Sequence, residues 1–239
     1  MKRNIRLTVA TNVFLAVLLL IVGAICFFPL GVSTAGKLSD RVYYEGNRES
    51  NYVSLMFNVY WGTEYIPEIL DTLDEYGVKA TFFIGGSWAD DNAEMLREIV
   101  NRGHELGNHG YFHKDQDTLS YEKNVEEIRV CGELVYTLTG VQPTLFAPPS
   151  GAYSEDTVNA ADALGYKTIL WSKDTIDWRD HDRSLIISRA TKDVSGGDLI
   201  LMHPTAETAQ ALASILLDYS QKGLEEVPVS VNISGIEKA

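Results

Sequence analysis

The chain has 239 residues, 45% hydrophobic and 22% charged, and these ordinary globular values exclude a disordered chain, a collagen and a coiled coil. Its net charge of -13 is uneven: residues 1–42 carry five basic residues and one acid, and residues 43–239 carry 15 basic and 32 acidic residues. Such an acidic surface repels phosphates, so we expect no nucleic-acid partner. The two cysteines are too few for a disulfide framework or a cysteine-rich zinc site.

The first thirty residues have the pattern of a membrane segment. Three basic residues among the first six precede an uncharged run of 18 residues from Val13 to Leu30. This run is long enough to cross a bilayer, and the basic flank favours an N-terminus inside. We therefore predict an N-terminal transmembrane helix within residues 1–35, which holds the remainder on the extracellular side of the cell membrane. Small residues at 33–35 leave a cleaved signal peptide, and hence secretion, as the alternative. Residues 36–51 are small, polar or charged and indicate a linker.

Residues 52–239 alternate between strand and helix patterns. Predicted strands cover 52–57, 80–84, 105–109, 144–147, 167–171, 198–202 and 227–233. Predicted helices lie between 66 and 77, 92 and 103, 120 and 140, 154 and 164, and 208 and 221. This alternation predicts one α/β domain with a parallel sheet or barrel. In such folds the chemistry lies at the carboxyl ends of the strands.

Several polar residues stand at those ends. His109 and His113 follow the third strand, and histidines four apart can bind one metal ion if the backbone between them turns helically. The alternative is that His109 caps a turn and His113 is exposed. His203 follows the strand at 198–202, and a lone histidine there is more often a satisfied buried residue than a catalyst. Asp174 and Asp177 could be ordinary loop acids.

Taken together and in order, these elements resemble the polysaccharide deacetylase family, carbohydrate esterase family 4. The resemblance covers about residues 50–235. A Trp61-Gly62 pair looks most like the sporulation-associated branch of Gram-positive bacteria. The matching motifs are His109-x-x-x-His113, Pro148-Pro149-Ser150-Gly151, Asp177-Trp178 and Leu201-Met202-His203.

The resemblance implies a distorted (β/α) barrel with about seven strands and metal-assisted removal of N-acetyl groups from amino-sugar polymers such as peptidoglycan. The resemblance implies a divalent metal, with zinc as the first expectation, bound by His109, His113 and an aspartate. His203 would protonate the leaving amine, and Asp177 would orient His203. Cell-wall glycan would be the partner, and the oligomeric state is left open. The substrate-binding residues implied are Pro149, Trp178 and Leu201.

The departures from the family pattern fall on the working residues. Asn58 stands where the base is expected, and an amide cannot accept a proton near neutral pH. Val59, which has no donor atom, stands where the carboxylate metal ligand is expected. Ala147 replaces the arginine that pairs with the base.

Two interpretations of these departures follow. The chain is either an enzyme with an altered site, in which Asp174 could serve as base, or an inactive relative that binds glycan or a surface partner. Both predict that His109, His113, His203 and Asp177 face one point. Both also predict a hydrogen bond between His203 and Asp177, because this pair needs neither missing aspartate.

Overall fold

The computed structural model describes residues 12–17 and 37–236, which belong to two compact units divided after Lys37. Residues 12–17 are helical. Within the described ranges, no helix is both long and apolar enough to cross a membrane. The predicted transmembrane run Val13–Leu30 lies outside the described residues beyond Val17, so that helix stays a prediction.

The larger unit is built on one curled sheet whose strand pairs are all parallel. The strands are β1 (Val42–Tyr43), β2 (Tyr52–Val59), β3 (Thr81–Ile84), β4 (Glu105–Asn108), β5 (Leu145–Phe146), β6 (Lys167–Ile169), β7 (Lys173–Asp174), β8 (Leu199–Met202) and β9 (Glu225–Glu226). Their order is β1-β6-β5-β4-β3-β2-β8-β7, and β9 pairs with the start of β2. Within the described residues β1 and β7 end this order without pairing to each other, so the sheet is an open half-barrel. The α/β architecture is as expected, with more strands than the seven predicted.

Helices connect the strands and cover the sheet. The α-helices of this unit are Ile66–Glu75, Gly86–Asp91, Ala93–Asn101, Tyr121–Thr139, Glu155–Ala163, Asp177–Asp180, Arg183–Thr191, Ala206–Gln221 and Val229–Asn232. Short 3-10 turns lie at Leu38–Arg41, Thr63–Tyr65, Gln116–Thr118 and Pro149–Gly151. The longest helix shows why its ends fall where they do: the Ser120 side chain accepts from Lys123 N–H at its start, and Gly140 ends it with a φ of 76°.

Alternation along β2 decides which side chains reach the strand-end site. Leu55, Phe57 and Val59 belong to the large apolar cluster that includes the covering helices. Met56 belongs to a second cluster, and Asn58 lines a cavity. Because successive side chains of a strand point to opposite faces, Asn58 faces the site and Val59 packs into the core.

Residues 38–51, which the sequence indicated as a linker, are part of the folded unit. Val42 and Tyr43 pair with Thr168 and Ile169, and Gly46 N–H donates to the Gly197 carbonyl at 2.7 Å. A two-residue strand leaves no period in the sequence, so pattern alone did not detect it.

The predicted strand at 227–233 is wrong. The chain there forms β9 followed by the short helix Val229–Asn232, which starts directly after Pro228. Val229 and Asn232 are the buried positions of this helix, and their spacing of three residues is helical. The helix Arg183–Thr191 was not predicted, because only Ile186 and Ala190 of it are buried and its apolar pattern is weak.

Candidate active site

A cavity of about 370 Å³ opens where β2, β7 and β8 end, the position expected for chemistry in a parallel α/β fold. Its lining residues are Asn58, Tyr60, His113, Ser150, Trp171, Asp174, Trp178, Leu201 and His203. Six of these nine were candidates from the sequence. The other four candidates are buried and outside this lining: His109, Asp177, Pro149 and Val59.

His203 and Asp177 form a buried pair, as the sequence predicted. The His203 ring Nδ1 lies 2.8 Å from Asp177 Oδ1, and the His203 backbone N–H donates to Oδ2 at 2.6 Å. The Thr208 hydroxyl donates to the same Oδ2 at 2.7 Å. Because a carboxylate only accepts, Nδ1 carries the proton toward Asp177, and Nε2 of His203 is left for the cavity.

His109 is fully buried beneath the site, with its Nδ1 2.7 Å from the Ala147 carbonyl oxygen. A carbonyl oxygen only accepts, so Nδ1 is the protonated nitrogen and Nε2 presents a lone pair. That Nε2 is buried without a hydrogen-bond partner. Burial, with the neighbouring His113, lowers the pKa of His109 to about 3, so its ring is neutral.

The three histidines surround one side chain that sequence reasoning did not select. The ring of Tyr60 stacks on His113 with centroids 3.6 Å apart. It lies 5.9 Å from the ring of His109 and meets the ring of His203 edge-on at 6.2 Å. The structure therefore brings His109, His113 and His203 to one place, with Asp177 behind His203.

The histidine pair fits only part of a metal site. The ring centroids of His109 and His113 are 5.1 Å apart. Two imidazoles on one tetrahedral metal, with metal–nitrogen bonds of about 2.0–2.1 Å, would hold their centres about 5 Å apart. Among the residues that the structure describes, however, no three His, Cys, Asp or Glu side chains group closely enough to hold a metal ion. Val59 supplies no donor, so the residues present do not make the three-ligand site of a catalytic zinc enzyme.

Asp174 is the carboxylate that lines the cavity. Its Oδ1 accepts the Ile176 N–H at 2.8 Å, and burial is the largest cause of a raised pKa. Ile176 has a φ of 54°, a conformation that a β-branched residue rarely adopts. Its neighbours in the site, His113 and Ser150, also have positive φ. Such strained backbone concentrates at functional sites, where the surrounding packing enforces it.

Two aromatic residues of the lining, Tyr60 and Trp171, were not among the candidates from the sequence. Tyr60 directly follows β2, and Trp171 lies between β6 and β7, so position after a strand was the available signal for both. Pro149, which the resemblance implies as a substrate-binding residue, is buried and outside the cavity lining, whereas the next residue, Ser150, lines the cavity. A proline that opens a 3-10 turn shapes the loop through its fixed φ, which leaves contact to the next residue.

The chain is thus a parallel α/β half-barrel with a histidine pair and a histidine–carboxylate pair at its strand ends. Residues 45–169 match the sequence profile of the polysaccharide deacetylase family. The uncharacterized protein YlxY of Bacillus subtilis (strain 168) is 36% identical over 187 residues, which span 78% of this chain and 59% of that protein. Because the match to the family profile spans more than half of the chain, the chain belongs to the polysaccharide deacetylase family.

Named relatives include both an enzyme and a pseudoenzyme. The peptidoglycan-N-acetylmuramic acid deacetylase PdaA of B. subtilis is 29% identical over 186 residues, covering 76% of this chain and 71% of PdaA. The crystal structure of BA3943, a CE4 family pseudoenzyme from Bacillus anthracis, superposes with a TM-score of 0.79 and 33% identity, covering 81% of this chain and 69% of that one. A BA3943 mutant with restored enzymatic activity matches similarly, with a TM-score of 0.79 and 31% identity.

Proposed function

We propose that this chain is an extracellular, membrane-held protein that binds amino-sugar glycan of the cell wall through a deacetylase-type site with severely impaired catalysis. One observation carries the proposal. The site keeps the His203–Asp177 pair and the His109–His113 pair, but Asn58 and Val59 stand where the family has its base and its carboxylate ligand.

The residues that remain suit binding better than amide hydrolysis. Hydrolysis of an acetamide needs an activated water, an electrophile and an acid for the leaving amine. Asn58 cannot take a proton from water, and two histidines alone do not complete the electrophilic site. His203, held by Asp177, can still exchange hydrogen bonds with a sugar hydroxyl or amine through its Nε2. The aromatic side chains Tyr60 and Trp178 offer flat apolar faces to a sugar ring.

The direct test combines binding with turnover. Isothermal titration of the purified chain with tetramers of N-acetylglucosamine or glucosamine should show saturable binding to at least one of them. Acetate release from the N-acetylated tetramer, with and without added zinc, should stay near the background of a His203→Asn variant. Sustained, zinc-dependent acetate release by the parent would refute impaired catalysis, and failure of both tetramers to bind would refute glycan binding.

A second candidate, a working deacetylase with Asp174 as base, is favoured by one observation. Asp174 lines the same cavity as His203, and its raised pKa brings the carboxylate closer to the range useful for a general base. In that case Asp174→Asn should abolish acetate release that the parent shows. The same variant should leave the background unchanged if catalysis is already lost.

The cellular setting of this proposal rests on the N-terminal pattern and on the names of relatives. The basic start and the uncharged 18-residue run support attachment to the cell membrane with the larger unit outside. PdaA is named for peptidoglycan, which supports peptidoglycan as the glycan. The likeness to the sporulation-associated branch stays a prediction.

A further inference from the structure

We infer that the cavity selects amino sugars whose amine is free, so that the chain binds de-N-acetylated glycan in preference to N-acetylated glycan. This inference rests on the proposed glycan binding and names the chemical form of the sugar. Three features of the cavity support it: its charge, its unpartnered acceptors and its aromatic walls.

The charge of the lining is negative. Among the described residues, no lysine or arginine side chain lines the cavity, whereas the carboxylate of Asp174 does. Asp174 Oδ1 accepts the Ile176 N–H, so Oδ2 is left to bind a ligand. Arg179, whose guanidinium lies 5.9 Å from the Trp178 ring centroid, is ion-paired with Asp180. A carboxylate in a half-buried pocket favours a cationic partner, and the protonated amine of glucosamine is one.

Two buried polar atoms in or next to the cavity lining have no hydrogen-bond partner, and both are acceptors. Nε2 of His109 and Oδ1 of Asn58 are both buried and have no hydrogen-bond donor. Asn58 lines the cavity, and His109 is in ring contact with Tyr60 and His113, which also line the cavity. Unpaired lone pairs make the local potential negative, so this side of the cavity stabilises a group that donates hydrogen bonds and carries positive charge.

The aromatic walls fit the same ligand. Tyr60, Trp171 and Trp178 all line the cavity. A cation within about 6 Å of such rings is attracted by their quadrupoles. An acetamide has no net charge, and its carbonyl oxygen gains most from a cation, which the lining does not supply. The free amine therefore gains from the lining, whereas the N-acetyl group loses the partner that a complete family site would give it.

The experiment compares two tetramers that differ only in acetylation. The full chain in detergent, with a chelator present and at a pH below the pKa of the sugar amine, is titrated with glucosamine tetramer and with N-acetylglucosamine tetramer. We expect the glucosamine tetramer to bind at least about tenfold more tightly. Raising the pH above the pKa of the amine should remove this preference.

Matched variants separate the cavity from the overall charge of an acidic protein. Asp174→Asn should reduce the preference to less than about threefold, because its amide still accepts the Ile176 N–H but carries no charge. Asp193→Asn changes the net charge equally on an exposed residue outside the cavity. Asp193 has a φ of 52°, which asparagine tolerates, so this control should fold and keep the preference. A tetralysine peptide should bind more weakly than the glucosamine tetramer.

The outcomes are distinct. Equal binding of the two tetramers, preference for the N-acetylated one, or an unchanged preference in Asp174→Asn would overturn this inference while leaving glycan binding intact. Tetralysine binding as tight as glucosamine tetramer would reduce it to general charge attraction. A preference that appears only with added zinc would assign it to a metal. Binding of neither tetramer would refute the proposed function itself.

Discussion

Position 59 determines what the histidine pair can hold. Val59 is fully buried in the apolar cluster beneath the helices, at the end of β2 and directly before irregular backbone. An aspartate there would bury a carboxylate without a partner, so we expect Val59→Asp to lower the free energy of unfolding by roughly 2–4 kcal/mol without metal. Because burying an unpartnered carboxylate is unfavourable, we expect the introduced carboxylate of this variant to rotate toward His109 and His113 when zinc is present. Zinc affinity should then rise at least about tenfold, which is about 1.4 kcal/mol.

The measurement is a zinc titration together with thermal unfolding, with and without zinc, for the parent and the variant. Val59→Asn is the matched control, because it buries a polar group of the same shape but offers zinc a neutral ligand. A variant whose stability zinc does not recover would show that position 59 cannot reach the histidines.

Asn58 occupies the position of the expected base in the same site. With Val59→Asp in place, Asn58→Asp would add a carboxylate that can take a proton from the attacking water. We expect the double variant to release acetate from N-acetylglucosamine tetramer faster than the parent, and Asn58→Asp alone to gain less. A parent as fast as the double variant would contradict this prediction.

At the scale of elements, the connection from β8 into the helix Ala206–Gln221 holds the His203–Asp177 pair. Thr205 caps this helix by accepting Thr208 N–H at 3.0 Å, and the Thr208 hydroxyl donates to Asp177. Thr208→Val keeps the shape but leaves the buried carboxylate with one donor fewer, so we expect a loss of about 1–3 kcal/mol in unfolding free energy. Urea unfolding measures it. Thr208→Ser should recover most of the loss, and equal losses in both variants would assign the effect to packing.

Sequence predicted the elements that have a long apolar period and missed those that do not. The helix Ile66–Glu75 buries Ile66, Ile69, Leu70 and Leu73, and this spacing alone identified it. β7 has two half-buried residues and no period, and its place in the sheet is set by pairing with β8. Such elements are specified by their neighbours in space, which a local pattern does not contain.

The candidate site divides in the same way. Motif order located His203, Asp177, His109 and His113 correctly at the strand ends. It did not indicate Tyr60, because the stacking of its ring on His113 depends on the path of the loop after β2 rather than on residue type. The sequence therefore predicts the chemically reactive residues at the strand ends better than it predicts the side chains that pack between those residues.

At the scale of the whole molecule, buried histidines make the fold sensitive to acid. His104 is buried, and burial with nearby Lys79 lowers its pKa from 6.5 to about 4. As the pH falls, His104 therefore takes up a proton in the unfolded chain before it does so in the folded chain. The contribution of the neutral His104 ring to stability is complete above about pH 6.5 and is lost progressively as the pH falls toward about 4. Between about pH 7 and pH 5 this histidine should cost the fold about 2 kcal/mol. His109 and His113 act in the same direction.

Urea unfolding at about pH 7 and pH 5 tests this contribution. His104→Asn keeps an acceptor for the Ala80 N–H, which His104 Nδ1 accepts at 3.3 Å, but removes the titrating ring. We expect this variant to lose about 2 kcal/mol less than the parent between the two pH values. An identical pH dependence in parent and His104→Asn would contradict the prediction.

The N-terminal segment should determine where this acidic molecule resides. Lys2, Arg3 and Arg6 precede the uncharged run Val13–Leu30, and basic residues before an apolar span keep that end in the cytoplasm. We expect the full chain in the membrane fraction, with protease added to intact protoplasts digesting the larger unit. Deletion of residues 1–35 should move the protein to the cytosolic fraction, because the remaining surface is strongly acidic and has no comparable apolar run. Replacing the three basic residues by glutamate should reduce the protease-accessible fraction without removing the apolar run. Full-length chain in the cytosolic fraction would refute membrane attachment, and a shortened chain in the medium would show that the segment is a cleaved signal peptide.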